Sequence, residues 1–445
     1  MERIEGRTDI STKLSRIAEL TKKYPDGAHT TLAHHIDIEF LKEAYSLTRK
    51  DGAAGVDGQT AAQYARHLEA HLKDLLERFK SGAYRAPPVR RVHIPKGDGR
   101  KTRPIGIPTF EDKVLQRAVT MILEAVYEPL FIEGSYGFRP GRGAHGALEA
   151  IWKSTMAMKG GWVIEADIVS FFDCLDHGHL REFLDKRVRD GVIRRVIGKW
   201  LKAGVLENGQ LFHPERGSPQ GGVVSPMLAN VYLHEVLDTW FEGEVKPRLR
   251  GRAQLIRYAD DFVIILESER DTARVMEVLP KRFGKYGLQL HPEKTRVVAF
   301  RHPGSDDGQP PKDPGTFDFL GLTHYWGRSR KGNPVVMRKT VRSRLARSIR
   351  SLHQWCRANR HLRIPDQQRA LRQRLQGHYG YYGITGNMRM LNAIYRAARR
   401  TWRYWLNRRG GKRRMTWPRF TAILARYPLP TPRIVHSALA AKPST

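Results

Sequence analysis

Two adjacent carboxylates in Tyr258-Ala259-Asp260-Asp261 lie between apolar, strand-forming runs, Leu255 and Ile256 before them and Phe262 to Leu266 after. This pattern predicts a strand, a tight turn and a second strand, with two acids at the tip. Neighbouring aspartates repel each other and lose hydration when partly buried, so a hairpin that keeps both ionised favours a bound cation. Magnesium in a phosphoryl-transfer site is the chemistry this suggests. Asp-Asp is common in ordinary turns, and the chain carries its own control, Asp306-Asp307, in the polar loop Gly304 to Pro311. What sets the first pair apart is the company it keeps.

Those acids need elements that bring further groups to them. Trp162 to Ile168 reads as a strand ending in an acid, Asp167, and is followed by Ser170-Phe171-Phe172-Asp173. A third carboxylate from a separate strand is what a two-metal site needs, because cations roughly 3.5 to 4 Å apart must share acidic ligands. Between the acidic segments comes Arg216-Gly217-Ser218-Pro219-Gln220-Gly221-Gly222-Val223-Val224-Ser225-Pro226, then an expected helix from Met227 to Trp240. Its glycines would let the backbone approach a ligand, and the Gln220 amide could hydrogen-bond a base or sugar. Arg90 to Lys96 and Lys101 to Pro108 form an expected basic strand pair about a Gly-rich turn, suited to clamping a triphosphate.

In order, Arg103-Pro104-Ile105-Gly106-Ile107-Pro108, Ser135-Tyr136-Gly137-Phe138-Arg139-Pro140-Gly141, the Asp167 segment, Pro219-Gln220-Gly221-Gly222, Tyr258 to Asp261, Gly287-Leu288 with Lys294-Thr295, and Phe319-Leu320-Gly321 resemble a reverse transcriptase. The form of the Gln220 to Pro226 block is similar to the group II intron-encoded family in particular. The resemblance implies an α+β right-hand polymerase, with fingers and palm of antiparallel sheet plus helices over 90–335 and an all-helical thumb over 336–410. It further implies an N-terminal extension over 36–89 and a short DNA-binding-like tail over 411–445, while residues 1–35 give no functional clue. By the same resemblance Asp167, Asp260 and Asp261 form the acidic triad for two Mg2+ ions, with Asp167 and Asp260 ligating both and the Ile168 carbonyl completing the coordination. Lys96 and Arg103 would contact the triphosphate and Gln220 the nascent base pair. Phe172 would exclude a 2′-hydroxyl, or Phe171 if the register is shifted by one. Lys294 has a structural alternative.

The chain has 445 residues with 78 Lys and Arg against 45 acids, a net charge of +33, so its expected partner is a polyanion. Between Arg338 and Arg414 there are 22 basic residues and one acid, Asp366. Apolar residues there recur at helical spacing: Val341, Leu345, Ile349, Leu352 and Trp355, then Leu391, Tyr395, Ala398, Trp402 and Trp405. Helices with an apolar stripe and an arginine-rich remainder are expected, with Arg342, Arg347, Arg396 and Arg403 as nucleic-acid contacts. Gly377 to Ile384 is expected to break the helices. Asp173 and Asp176 read as local caps or turn residues, and His34-His35 and His177-Gly178-His179 as solvent-exposed.

Two cysteines, Cys174 and Cys356, argue against a disulfide framework and a zinc module. The resemblance therefore implies a lineage without the C-terminal endonuclease, which takes its primer from elsewhere. No apolar run approaches the 18 or more residues of a membrane span and no signal peptide opens the chain, so a soluble protein of the bacterial cytoplasm is expected. The expected partners are group II intron RNA or another RNA template, a DNA primer or target, and deoxynucleoside triphosphates. The expected activity is RNA-directed DNA polymerisation with maturase action on the intron RNA. The alternatives are a host-adopted polymerase in repair or phage defence and an RNA-binding splicing factor with idle acids.

Overall fold

The computed structural model describes residues 2–95, 102–207, 209–212, 217, 221–304, 315–329, 331–409 and 414–437. Lys96 and Gln220 lie outside the described residues, as do the control pair Asp306-Asp307 and Gly410-Gly411.

Helix and strand are mixed throughout the first three-quarters of the chain. Helices α1 (Glu2–Lys23), α2 (Ile38–Leu47), α3 (Ala61–Ala65) and α4 (Leu68–Ser81) precede the hairpin β1 (Val89–Pro95) and β2 (Thr102–Ile107). Then come α5 (Phe110–Tyr127), α6 (Ala144–Ala157), β3 (Trp162–Ala166), α7 (Phe171–Cys174), α8 (His177–Asp185) and α9 (Gly191–Lys202). Strands β4 (Val205–Glu207) and β5 (Gln210–Phe212), helix α10 (Ser225–Leu233), and the hairpin β6 (Ala253–Tyr258) and β7 (Asp261–Leu266) follow. Next are α11 (Glu269–Lys285), β8 (Arg296–Ala299), β9 (Phe317–Phe319), β10 (Leu322–Arg328) and β11 (Pro334–Thr340). The rest is helical: α12 (Arg342–Ala358), α13 (Ile364–Tyr382), α14 (Met388–Leu406) and α15 (Trp417–Arg426).

The strands form sheets of order β2-β1-β4-β5, β6-β7-β3-β8 and β11-β10-β9. The basic hairpin expected at 90–108 is β1 and β2, antiparallel from Arg90 opposite Ile107 to Pro95 opposite Thr102. By packing the chain divides into a first unit, Met1–Ala147, Ala166–Ile264 and Ser268–Arg296, and a second, Leu148–Glu165, Ile265–Glu267 and Val297–Thr445.

In the first unit α5 is the central helix, with Val114, Leu115, Ala118, Val119, Ile122 and Leu123 fully enclosed. Helix α1, absent from the sequence reading, packs on it. Its signal was present but sparse: Ile10, Ile17 and Thr21, the buried positions, share one face with Leu14, while Leu20 is exposed and most other positions are polar or small. Asp190 ties the residues after α1 to the start of α9, accepting from the main-chain N–H groups of Leu32, Ala33, Val192 and Ile193. The helix expected over 227–240 starts at Ser225 and runs beyond it through π-helical turns at His234–Asp238 and Phe241–Val245.

In the second unit the anticipated apolar stripe is a core. Leu352, Leu391, Ala398 and Trp402 are buried together with Cys356, Leu371 and Leu375, and Trp402 donates its indole N–H to Gln367 at 2.8 Å. Of the break expected over Gly377 to Ile384, Gly377 to Tyr382 are still helical as the end of α13, and the break before α14 begins at Gly383. Gly377 and Gly380 lie on the open side of the helix while Tyr379 is buried, so its packing outweighs the low helix propensity of glycine. Phe420 and Leu429 belong to the same cluster, so residues 414–437 complete this helical core.

Candidate active site

Strands β6 and β7 are joined by two residues, Ala259 and Asp260; Asp260 stands at the tip and Asp261 opens β7. Ala259 has φ +56°, a left-handed conformation that costs a non-glycine residue about 1 to 2 kcal/mol. The fully buried Arg257 holds it there. Its Nε and Nη2 grip the Asp238 carboxylate at 2.8 and 2.5 Å, Nη1 donates to Asn230 Oδ1 at 3.0 Å and to the Ala259 carbonyl at 3.1 Å, and Nη2 also donates to Ser135 Oγ at 3.0 Å. All five guanidinium N–H groups are thus satisfied inside the protein. Burial alone would push the Asp238 carboxyl up, but the charge and hydrogen bonds of Arg257 hold it below the usual range.

The segment Gly134 to Phe138 lies along β6. Arg257 N donates to the Gly134 carbonyl and Tyr136 N to the Arg257 carbonyl, both at 2.8 Å, and Asn230 Nδ2 donates to the Gly137 carbonyl at 2.8 Å. A Cβ on Gly137 would stand 2.2 Å from Ala259 N, so only glycine lets this segment close over the turn.

Strand β3 is the neighbour of β7, which brings Asp167, the residue after β3, beside the hairpin tip. The Asp167 carbonyl accepts from His291 N and the Gln289 carbonyl from Val169 N, each at 2.8 Å. These two bonds bracket Ile168, whose own N–H and carbonyl fall outside that pairing. The Asp260 carboxyl is raised above its ordinary value, first by burial and then by the negative charge of Asp167; Arg103 and Arg257 oppose the rise. Asp167, Asp260 and Arg103 are therefore within electrostatic reach of one another. Asp261 is exposed. The Asp167 carboxylate forms an ion pair with the Lys294 ammonium.

Among the described residues no group of three or more His, Cys, Asp or Glu side chains is arranged to hold a metal ion. What the site offers is a pair of carboxylates that feel each other's charge, Asp167 and Asp260, with a lysine cation already on Asp167. Such a pair suits magnesium, which binds through one or two carboxylates and fills its remaining positions with water and substrate phosphate oxygens.

The two aromatic rings differ in burial. Phe171 is 2% exposed and packs edge-on against Tyr232, whereas Phe172 is half-buried. Asp176 caps α8, accepting from Gly178 N at 2.8 Å and His179 N at 3.0 Å, as its sequence position suggested. His177 is not solvent-exposed as expected: it is buried at the start of α8, where its Nε2 meets the Gly217 carbonyl at 2.6 Å. His179 is half-buried against Phe183 and Tyr286.

The glycine-rich stretch after Gln220 is held from beneath. Gly221 has φ +115° and a Cβ there would stand 2.5 Å from the Gly106 carbonyl, so its backbone presses against β2. Gln116 Oε1 accepts from Val223 N at 2.7 Å and Val224 N at 3.3 Å, while its Nε2 donates to Asp112 Oδ2 at 3.1 Å. Asp112 also accepts from Trp200 Nε1 at 2.7 Å and from the Tyr84 hydroxyl. Burial pushes the Asp112 carboxyl up to about 6 despite these bonds.

A sequence profile described as reverse transcriptase (RNA-dependent DNA polymerase) matches residues 94–324, more than half of the chain, and includes every residue of the acidic hairpin and its clamp. The chain belongs to the reverse transcriptase family. Within the family it falls in the group II intron-encoded branch. It is 38% identical over 352 residues to the group II intron-encoded protein LtrA of Lactococcus lactis subsp. cremoris, a match covering 65% of this chain and 58% of LtrA. The chain thus spans less than two thirds of that relative's length. It is 33% identical over 344 residues to protein YkfC of Escherichia coli (strain K12), covering 70% of this chain and 86% of YkfC. Nuclear intron maturase 2, mitochondrial, of Arabidopsis thaliana matches at 29% over 276 residues, covering 50% and 37%.

Sequence reasoning missed the residues that hold this reverse transcriptase's hairpin: Arg257, Asp238, Asn230 and Ser135. One signal was available, since an arginine that follows Leu255 and Ile256 in a strand-forming segment must find buried partners. Of the four arginines expected to touch nucleic acid, Arg342 and Arg396 are exposed and Arg347 is half-buried. Arg403 is half-buried too, donating to the Met415 carbonyl at 3.0 Å and lying 4.3 Å over the Trp417 ring, so it holds the chain around α15.

Proposed function

We propose that this chain is an RNA-directed DNA polymerase of the group II intron type, with Asp167 and Asp260 as the paired carboxylates of a two-magnesium site. The observation that carries the reading is the burial of Asp260 beside the charge of Asp167, on a turn whose strained backbone is fixed by Arg257. Lys294 offsets part of the repulsion between these carboxylates, and a metal cation shared by both would relieve the rest. Magnesium, when bound, would neutralise the triphosphate and lower the pKa of the primer 3′-hydroxyl. Asp261 and the Ile168 carbonyl are the further candidate ligands.

Around that pair the chain's own groups orient the substrate. Arg103, exposed on β2 yet within electrostatic reach of Asp260, would grip phosphate oxygens in bidentate fashion. The half-buried ring of Phe172 would crowd a 2′-hydroxyl and so select deoxynucleotides; Phe171 is committed to the core. Lys96 and Gln220 keep the roles of triphosphate contact and base-pair contact that their motifs suggest. The hand-like division follows: fingers from β1 and β2, palm from the sheet of the acidic hairpin, thumb from α12 to α14. The arginine-rich surface of those helices supports RNA binding, and with it maturase action on intron RNA.

The deciding experiment is extension of a DNA primer on an RNA template, with and without magnesium, comparing deoxy- and ribonucleotides. Asp260→Asn should lower extension at least about 10³-fold with RNA affinity within twofold of wild type, since it removes metal-binding charge and leaves the basic surface intact. Extension near the wild-type rate would refute the site.

A further inference from the structure

We propose that a basic groove in the first unit, built by α8, α9 and the segment after α4, is a binding site for the phosphodiester backbone of RNA. The proposal takes from the polymerase reading only that RNA is the polyanion this protein meets.

The groove has a volume of about 540 Å³ and is lined by Arg85, Arg181, Arg195, Lys199 and Lys202 over a floor of small residues, Gly198 and Ala203 among them; no acid lines it. None of the acidic hairpin's residues belongs to it. Arg195, Lys199 and Lys202 recur at helical spacing on one face of α9, Arg181 comes from α8, and Arg85 follows α4. Lys199 fixes the geometry, donating to the Gly82 and Tyr84 carbonyls at 2.7 and 2.6 Å and so fastening the segment that carries Arg85 to α9.

The pairing of neighbouring charges makes the groove distinctive. Arg194 is paired with Asp185 at 2.6 Å, Lys186 with Glu235 at 2.6 Å and Arg187 with Asp26 at 3.3 Å. The fold thus supplies carboxylates to adjacent cations, but among the described residues none pairs with Arg85, Arg181, Arg195 or Lys202. Four exposed cations converging on one concavity repel each other and focus positive potential there, which an anion relieves. The space exceeds what a single phosphate fills, and it has no large apolar side chain to enter a lipid surface. A polymer of phosphates fits both facts.

The test uses the full chain carrying Arg85→Gln, Arg181→Gln, Arg195→Gln and Lys202→Gln together, with Lys199 untouched because it is structural. Binding to a structured RNA, titrated with potassium chloride, should show a log-log salt slope shallower by about 2 to 3, and an affinity about ten- to a hundredfold lower at 0.1 M salt. Changing the three arginines to lysine should keep most of the affinity, since phosphate attraction needs charge more than the guanidinium fork. Extension on a short annealed primer-template should stay within about twofold of wild type. An unchanged slope would overturn the proposal, as would loss of short-template extension in parallel with binding. Unchanged RNA binding with lost binding to phosphatidylserine vesicles would assign the groove to a lipid surface instead. If the wild type extends no primer yet shows the groove-dependent slope, the polymerase reading fails and the groove stands.

Discussion

At Ala259 a single residue carries the cost of the acidic tip. Its left-handed backbone is held by Arg257 from within and closed over by Gly137 from without, so both side chains, or the lack of one, act on the position of Asp260. Gly137→Ala should reduce primer extension by tenfold or more while leaving RNA affinity and overall helix content unchanged, because the added methyl displaces the turn and little else. Arg257→Met leaves Asp238 buried without its partner and should destabilise the first unit by about 3 to 5 kcal/mol, read from urea unfolding. Adding Asp238→Leu should recover most of that stability and almost none of the extension. Recovery of both would mean that Arg257 serves packing alone.

At the scale of elements, the Gly221 stretch is positioned from α5 and α9 through Gln116, Asp112 and Trp200. Asp112 ties this network to proton concentration. Its carboxyl is raised from 3.8 to about 6, so between those values the folded chain holds a proton that the unfolded chain has released. Stability therefore falls as pH rises through that window and levels off above it, a contribution of about 3 kcal/mol. Asp112→Asn cannot ionise, so urea unfolding at pH 4 and at pH 7 should show the variant gaining on the wild type by up to that amount as pH rises. A constant difference would mean the carboxyl titrates normally. A void of only about 20 Å³ beside Asp112 and Gln116 is too small for a nucleotide, so the network supports the site without forming it.

Over the whole molecule, charge is the dominant property: +33 net, with 22 basic residues against one acid between Arg338 and Arg414. No helix among the described residues is long and apolar enough to cross a membrane. Arg342→Gln with Arg396→Gln, both exposed, should flatten the salt dependence of RNA binding by about 0.7 to 0.9 per lost phosphate contact. Arg403→Gln should instead lower thermal stability with a smaller change in slope, because that guanidinium is engaged with Met415 and Trp417. Equal slopes for all three changes would erase this distinction.

The sequence by itself determined what depends on neighbouring residues: the acid-tipped hairpin, the basic hairpin β1 and β2, the apolar stripes of α12 and α14, and the family, because turn chemistry and side-chain period are written locally. It left open what depends on distant partners. The Arg257 clamp joins Ser135 to a residue 122 positions away, and Asp112 meets Trp200 across 88; no local pattern announces such pairs. Only the tertiary structure set Phe171 in the core and Phe172 nearer the surface, kept α13 helical through Gly377 and Gly380, and turned Arg403 toward its own chain. The physical reason is the same in each case. Burial decides whether an aromatic ring, a glycine or a guanidinium is structural or available, and burial follows from packing among elements far apart in the chain.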